Sequence, residues 1–167
     1  MNIFNLQTIL WHSNLPEAID EFSKVLERDR QHFPLPWSEN DWQPVLTQES
    51  KYRLFLFFHK VDDQNFQQIG HSLFFCADFQ RGLKSPIHLL KICLDPEARK
   101  KGFGEVFFQQ LESLLTSDFS EVFLEVDSSN IQALKYYEKN GFSAVHRKDH
   151  YYSNGASAIF FLKKWSS

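Results

Sequence analysis

One continuous stretch restricts the fold more than any other. An apolar run over residues 87–94 ends at Asp95-Pro96, passes through Arg99-Lys100-Lys101-Gly102-Phe103-Gly104, and leads into a segment of helical periodicity. The run is short for a helix and is bounded by a turn pair, the pattern of a central strand covered on both faces. After it, Phe103, Phe107, Leu111, Leu114 and Leu115 recur as one apolar stripe, so the chain turns from a buried strand into an amphipathic helix. The first amides of a helix lack internal acceptors and carry partial positive charge, which makes them a ready anion site. Gly102 and Gly104 let an oxyanion approach the backbone with no Cβ in the way, and Arg99, Lys100 and Lys101 add attraction for a polyphosphate. Other phosphate loops fit worse: Phe107 stands where the dinucleotide pattern needs its third glycine, and no Gly-Lys-Ser/Thr follows. The plainer alternative is a helix start with a solvated basic face.

The remaining elements follow from periodicity and punctuation. A short apolar run, 6–11, opens the chain. Asn14-Leu15-Pro16 predicts a helix start with Ile19, Phe22, Val25 and Leu26 on the buried face, ended by Pro34 and Pro36. Ser38-Glu39-Asn40-Asp41 reads as the capped start of a second helix, with Trp42 and Leu46 on one side. Segments 52–61 and 69–75 are Phe- and Leu-rich strands joined through Asp62-Asp63-Gln64-Asn65, and 80–85 reads as a loop. Segment 121–127 is a strand with Val122, Leu124 and Val126 on one face and Phe123 and Glu125 on the other. Ser129-Asn130-Ile131-Gln132 suits a capping box opening a helix, and Gly141 its left-handed cap. Segments 143–152 and 156–163 read as a hairpin turning at Asn154-Gly155, a type I′ signal. The order β-α-α-β-β-β-α-β-α-β-β is that of an α/β domain, a mixed sheet with helices on its faces.

At 167 residues the chain suits one domain, residues 1–167. A net charge of −3 gives no bulk attraction to nucleic acid or anionic lipid, and the basic cluster is too short to supply it. Cys76 and Cys93 lie in apolar runs without Cys-x-x-Cys spacing and read as small buried hydrophobes. The seven histidines show no ligand spacing, so no metal is expected. No apolar stretch approaches the ~20 residues of a membrane span, and the first residues lack a signal peptide's basic flank and apolar block. A cytoplasmic protein is expected.

The spacing Arg99-x-x-Gly102-x-Gly104 after a strand resembles the coenzyme A pyrophosphate signature of the GNAT acetyltransferase superfamily. Leu124-Glu125-Val126-Asp127-Ser128-Ser129-Asn130, then Ala133, Tyr136-Tyr137-Glu138 and Asn140-Gly141-Phe142, is similar to the second half of the same pattern in order and spacing. Leu35-Pro36-Trp37-Ser38 and the stretch 147–152 look most like the RimI-type ribosomal-protein alanine N-acetyltransferases. The resemblance runs from about Asn14 to the end. It implies a mostly antiparallel, mixed sheet of about seven strands with flanking helices, and acetyl-CoA lying between the fourth and fifth strands. The backbone of Ile92, Cys93 and Leu94 would pair with the pantetheine arm, Arg99, Lys100, Lys101, Gly102, Phe103 and Gly104 would carry the pyrophosphate, and Asn130 would bond the pantetheine region. Tyr137 aligns with the general acid to the leaving thiolate and Glu125 with the general base, direct or through water. Tyr151 and Tyr152 match a pair that contacts the acceptor peptide.

The chemistry fits these residue types. A carboxylate in a central strand is costly to bury unless satisfied, and desolvation is expected to raise the Glu125 pKa toward the operating pH. An α-amine titrates near 7.7–8.0 and lysine near 10.4, so presenting a neutral lysine at neutral pH costs roughly 3.4 kcal/mol more. One modest base is thus better matched to a protein or peptide N-terminus, a ribosomal protein among the candidates. Asp127 stands where RimI relatives carry Arg, which favours a more cationic acceptor, and the loop 78–85 is longer than in that type. Within the same chemistry the acceptor could be a small amine. A different class, a non-catalytic coenzyme A-binding sensor on this fold, would need neither Glu125 nor Tyr137.

Overall fold

The computed structural model describes residues 6–13, 18–48, 50–77 and 84–165. In chain order these form β1 (Leu6–Leu10), α1 (Ala18–His32), α2 (Glu39–Thr47), β2 (Tyr52–Lys60), β3 (Phe66–Phe75) and β4 (Ser85–Leu94), then α3 (Phe103–Leu115), β5 (Phe119–Asp127), α4 (Ile131–Lys139), β6 (Ser143–Lys148) and β7 (Ala158–Lys164). The strands make one open sheet in the order β1-β2-β3-β4-β5-β7-β6. Every neighbouring pair is antiparallel except β4 and β5. No described helix is long and apolar enough to cross a membrane.

Period-2 patterning divides the sheet between two cores. Leu54, Leu56 and Leu73 face α1 and α2, where Trp11, Phe22, Val25, Trp42 and Val45 meet them. Phe55, Phe57, Phe74, Leu124 and Val126 face the other way, onto Phe107, Phe108 and Leu111 of α3 and Tyr137 of α4. Phe57 and Phe107 stack with ring centroids 4.5 Å apart, so the helix after the glycine loop is seated on the middle of the sheet.

Several boundaries and faces differ from expectation. Ile19 is 82% exposed, and α1 instead buries Ala18, Phe22 and Val25 together with the charged Arg28 and Asp29. The expected start of α1 at Asn14-Leu15-Pro16 lies outside the described residues, as does most of the loop 78–85. In α2 the capping box is present between Ser38 and Asp41, but Val45 shares the buried side with Trp42 and Leu46 is exposed. Leu114 is likewise exposed, because α3 turns Phe107, Phe108, Leu111 and Leu115 inward. The α4 cap is Asn130, whose side chain accepts from the Ala133 amide, so Ser129 is one position too early. Gly141 adopts the expected left-handed φ of 83° after α4. The last connection turns at 152–156, where the Gly155 amide donates to the Tyr152 carbonyl at 2.8 Å and the Tyr152 amide to that of Ala156 at 3.0 Å. Strands β6 and β7 are joined by the segment 149–157, where His150 and Gly155 take positive φ and Asn154 does not, so Asn154-Gly155 forms no type I′ turn.

His71 of β3 is fully buried between Phe33 and Trp42, with no protein hydrogen bond to either ring nitrogen. Burial, reinforced by the charges of Arg28, Lys91 and His32, pushes its pKa down to about 3. The unfolded chain then binds a proton that the native state refuses at every pH between about 3 and the ordinary 6.5. His71 therefore costs no stability above about pH 6.5, and stability falls as the pH drops below it. Urea titrations are expected to lose about 1 kcal/mol between pH 7 and 5.5 through this residue, and His71→Leu should flatten that slope. An unchanged slope would place the acid sensitivity elsewhere.

Candidate active site

The parallel strands β4 and β5 pair only from Ser85↔Phe119 to His88↔Phe123. Past that point β4 follows β3 and β5 follows β7. The β3 register jumps from Phe74↔Leu89 to Leu73↔Lys91, leaving Leu90 as the extra residue of a bulge. A bulge bends and twists its strand, so β4 leaves β5 where the pairing stops. The wedge between them holds a cavity of about 500 Å³. Residues 89–92 and 124–127 form its two strand walls, Asn130 with Ala133 and Tyr137 of α4 line one side, and 33–37 with Tyr152 and Asn154 line the other.

Glu125 borders this cavity with only 14% of its side chain exposed. Its Oε2 accepts from His88 Nε2 at 2.5 Å and its Oε1 accepts from the Tyr151 hydroxyl at 3.0 Å. Burial alone would push its pKa up, but the His88 bond and charge and the Tyr151 bond outweigh it, and the net direction is down. The expected rise toward neutrality is therefore corrected: both oxygens carry donors, which favour the ionised form. Tyr137 has the opposite character. It is buried against Phe142 and Phe161 at the cavity wall, and burial, helped by Tyr136 and Tyr152, pushes its pKa well above the usual phenol range. Its proton is firmly held. Tyr136 instead donates to the Gly104 carbonyl at 2.8 Å, tying α4 to the start of α3.

Asn130 borders the cavity while capping α4. Asp127 also borders it, but its Oδ1 accepts from the Ser129 amide and hydroxyl at 2.8 and 2.7 Å, bonds that hold its carboxyl below the usual range. That arrangement shapes the turn into α4. Tyr152 stands at the rim, its phenol pushed up to about 12 by burial and by Glu125, Tyr151 and Asp127.

The glycine loop lies at the far end of β4. Gly102, at φ 77°, is the N-cap of α3 and offers no side chain to it, so the first-turn amides stay open to an anion. Lys100 also takes a positive φ, 59°. Arg99, Lys100 and Lys101 are exposed around the loop, with Arg99 Nε donating back to the Leu94 carbonyl at 2.8 Å. Phe103 stacks on His59, so its side chain packs on the sheet and leaves only its backbone to the loop. Gly104 has a packing reason as well: a Cβ there would sit 3.3 Å from the Tyr136 ring. The free edge of β4 and a helix start with open amides and three cations fit a ligand that joins an extended amide chain to a pyrophosphate.

The chain matches the family described as an acetyltransferase (GNAT) domain over residues 46–162. It belongs to that family. Among curated proteins it is 34% identical over 88 residues to N-alpha-acetyltransferase 30 of Xenopus laevis, covering 52% of this chain and 30% of that protein. It is 37% identical over 62 residues to the probable N-acetyltransferase san of Drosophila melanogaster, covering 36% and 33%. The chain thus spans about a third of these relatives. Among solved structures, the ribosomal-protein-S18-alanine N-acetyltransferase of Escherichia coli superimposes with a TM-score of 0.75 at 19% identity, covering 97% of this chain and 95% of that one. Arabidopsis thaliana Naa50, solved with a bisubstrate analogue, gives 0.76 at 13% identity, covering 96% and 99%. At those identities the likeness is one of fold.

In this GNAT domain Ile92, Glu125, Asp127, Asn130, Tyr137 and Tyr152 border one cavity, and Tyr151 joins through Glu125. Cys93 and Leu94 lie further along β4, and Arg99 to Gly104 stand outside the cavity wall. Burial pushes the Cys93 thiol up, away from nucleophile chemistry. Sequence reasoning missed His88, Lys91 and Asp29. Lys91 Nζ, buried, donates to the fully buried Asp29 at 2.5 Å and lies over the Phe33 and Trp37 rings at 4.2 and 4.8 Å. The available signal was two basic residues, His88 and Lys91, inside the otherwise apolar run 87–94.

Proposed function

We propose that this domain, read as one unit over residues 1–167, moves the acetyl group of acetyl-CoA to the α-amine of a protein or peptide N-terminus. The observation that carries this reading is the single cavity at the β4/β5 split, with an ionised carboxylate, Glu125, and a firmly protonated phenol, Tyr137, on its walls. Pantetheine takes the free edge of β4 near Ile92, Cys93 and Leu94, with Asn130 beside it. The pyrophosphate sits on the open amides after Gly102, among Arg99, Lys100 and Lys101. The acceptor enters between residues 33–37 and Tyr151-Tyr152. One ammonium proton passes to Glu125, directly or through water, the nitrogen forms the new C–N bond, and as the C–S bond breaks the second proton leaves the nitrogen for the departing sulfur. The departing thiolate accepts a hydrogen bond from Tyr137. A phenol that holds its proton this tightly stabilises the leaving group chiefly as a donor, since an ordinary thiol titrates near 8.5.

The names of the relatives support an α-amine over other acceptors. A RimI-like choice, a cationic ribosomal N-terminus met by Asp127 in the cytoplasm, is the narrower form of the proposal. Mass spectrometry after incubation with acetyl-CoA tests both, using N-terminal peptides, N-terminally blocked lysine peptides and polyamines in one mixture. Acetylation of the peptide α-amine, strongest on basic N-termini, is the expected result. Modification of the polyamines alone would replace the proposed acceptor with a small amine, and binding without transfer would leave a sensor.

A further inference from the structure

His88 is the last residue of β4 that pairs with β5, opposite Phe123. Its imidazole stacks on the Phe123 ring, centroids 4.4 Å and planes 15° apart, and Phe123 shares its strand face with Glu125. The ring is thereby fixed with Nε2 at 2.5 Å from Glu125 Oε2. A spacing that short holds a proton between the two atoms, because two facing lone pairs would repel. The two side chains are 19% and 14% exposed, so each charge acts on the other with little screening.

The other titratable groups around the pair do not duplicate this role. Tyr151 and Tyr152 approach from the segment 149–157 and Asp127 from β5, while on the β3 side His88 faces Phe75. Lys91, further along β4, is engaged by Asp29. On β6, His146 stands across β7 opposite Phe160, the partner of Glu125, and Lys148 lies over the Tyr151 ring at 5.5 Å; the His88 imidazole is the basic group in direct contact with the carboxylate.

We propose that His88 is a positioning residue that controls when Glu125 can take up the acceptor's proton. Neutral, its Nε2–H fixes the carboxylate at the apex of the split while leaving it basic; protonated, it forms an ion pair that suppresses proton uptake. This rests on the reading of Glu125 as proton acceptor. The electrostatics give the sign: a full positive charge beside a carboxylate favours its ionised form more than a neutral donor does, and so lowers its proton affinity. Histidine is the side chain suited to such a change near neutral pH. The same carboxylate holds Tyr151, so the state of His88 also reaches the acceptor side of the cavity.

The test compares the pH dependence of kcat for the full chain with its His88→Gln and Glu125→Gln variants, each checked for acetyl-CoA binding and thermal midpoint. Glutamine keeps a donor but cannot become charged. In His88→Gln the acid limb of kcat is expected to move to lower pH, because glutamine keeps a donor at the carboxylate and never adds a charge beside it. An unmoved limb with wild-type kcat would reduce His88 to packing and overturn the proposal. Normal turnover in Glu125→Gln would sink the base assignment itself, and a slow Glu125→Gln beside a wild-type His88→Gln would sink only the role of His88. Proton NMR of the wild type supplies a readout that needs no folded variant at position 88. A low-field Nε2–H resonance that moves upfield in Glu125→Gln is expected, and its absence would also overturn the proposal.

Discussion

Asp29→Ala is expected to lower the folding free energy by about 3–5 kcal/mol, the cost of breaking a buried ion pair from one side. Asp29 is fully buried and accepts three bonds: from Lys91 Nζ at 2.5 Å, the Trp37 amide at 2.6 Å and the Trp42 indole at 3.4 Å. Its removal leaves the Lys91 ammonium with the faces of Phe33, Trp37 and Trp42, each worth about 2 kcal/mol at most when desolvated. Burial already lowers the Lys91 pKa, with Asp29 the main group opposing it. In the variant the folded-state value falls further while the unfolded value stays ordinary. The unfolded chain then binds more protons, so the deficit shrinks as pH rises toward the lysine range. Urea titrations at pH 7 and 9 measure both effects. Asp29→Ala/Lys91→Met should recover most of the loss, since apolar replacement of a buried pair is often neutral or better. A loss under about 1 kcal/mol in the single variant would show that the pair contributes little. A functional effect follows from the Trp37 amide: once released, residues 33–37 no longer hold one wall of the cavity, and acceptor KM should rise more than acetyl-CoA KM.

The element order was legible because each strand and helix is several residues long and patterned on two faces, and Phe57 on Phe107 shows the reward for that patterning. Local signals failed where tertiary contacts decide. Asn154-Gly155 has the composition of a type I′ turn, yet Gly155 alone of the two takes positive φ, and the chain turns through 152–156 with Tyr151 bonded to Glu125 and Ser157 to Asp149. Ile19 obeys helical spacing and is still exposed, because the neighbouring face of α1 is given to Arg28 and Asp29. Arg28 reaches Asp95 through Nε at 2.5 Å and Asp29 reaches Lys91, links across more than sixty positions that no window along the chain can see. The same reasoning applies to the site. Glu125 and Tyr137 stand in a recognisable pattern, whereas the sign of the Glu125 shift depends on His88, a partner from another strand.

Glu125→Gln is expected to slow acetyl transfer at pH 7 by roughly 10²–10⁴, the range for loss of a positioned general base. The low end applies if solvent can do part of the work. At pH 7 roughly one α-amine in ten is already neutral, given an ordinary value of 7.7–8.0. The variant's rate should then climb about four- to fivefold from pH 7 to 8 and level off above pH 8 with an α-amine acceptor. With a lysine acceptor the climb would continue toward about 10.4. One pH profile thus reports both the role of Glu125 and the class of amine. Tyr137→Phe should slow transfer to a similar degree without any such recovery, because supplying neutral amine does nothing for a leaving thiolate that has lost its donor. Acetyl-CoA affinity should stay near wild type in both, since the loop after Gly102 lies apart from either side chain. A Glu125→Gln variant with a flat profile would assign its defect to the loss of Tyr151 and His88 anchoring. Recovery of Tyr137→Phe at high pH would mean that the two residues serve the same proton.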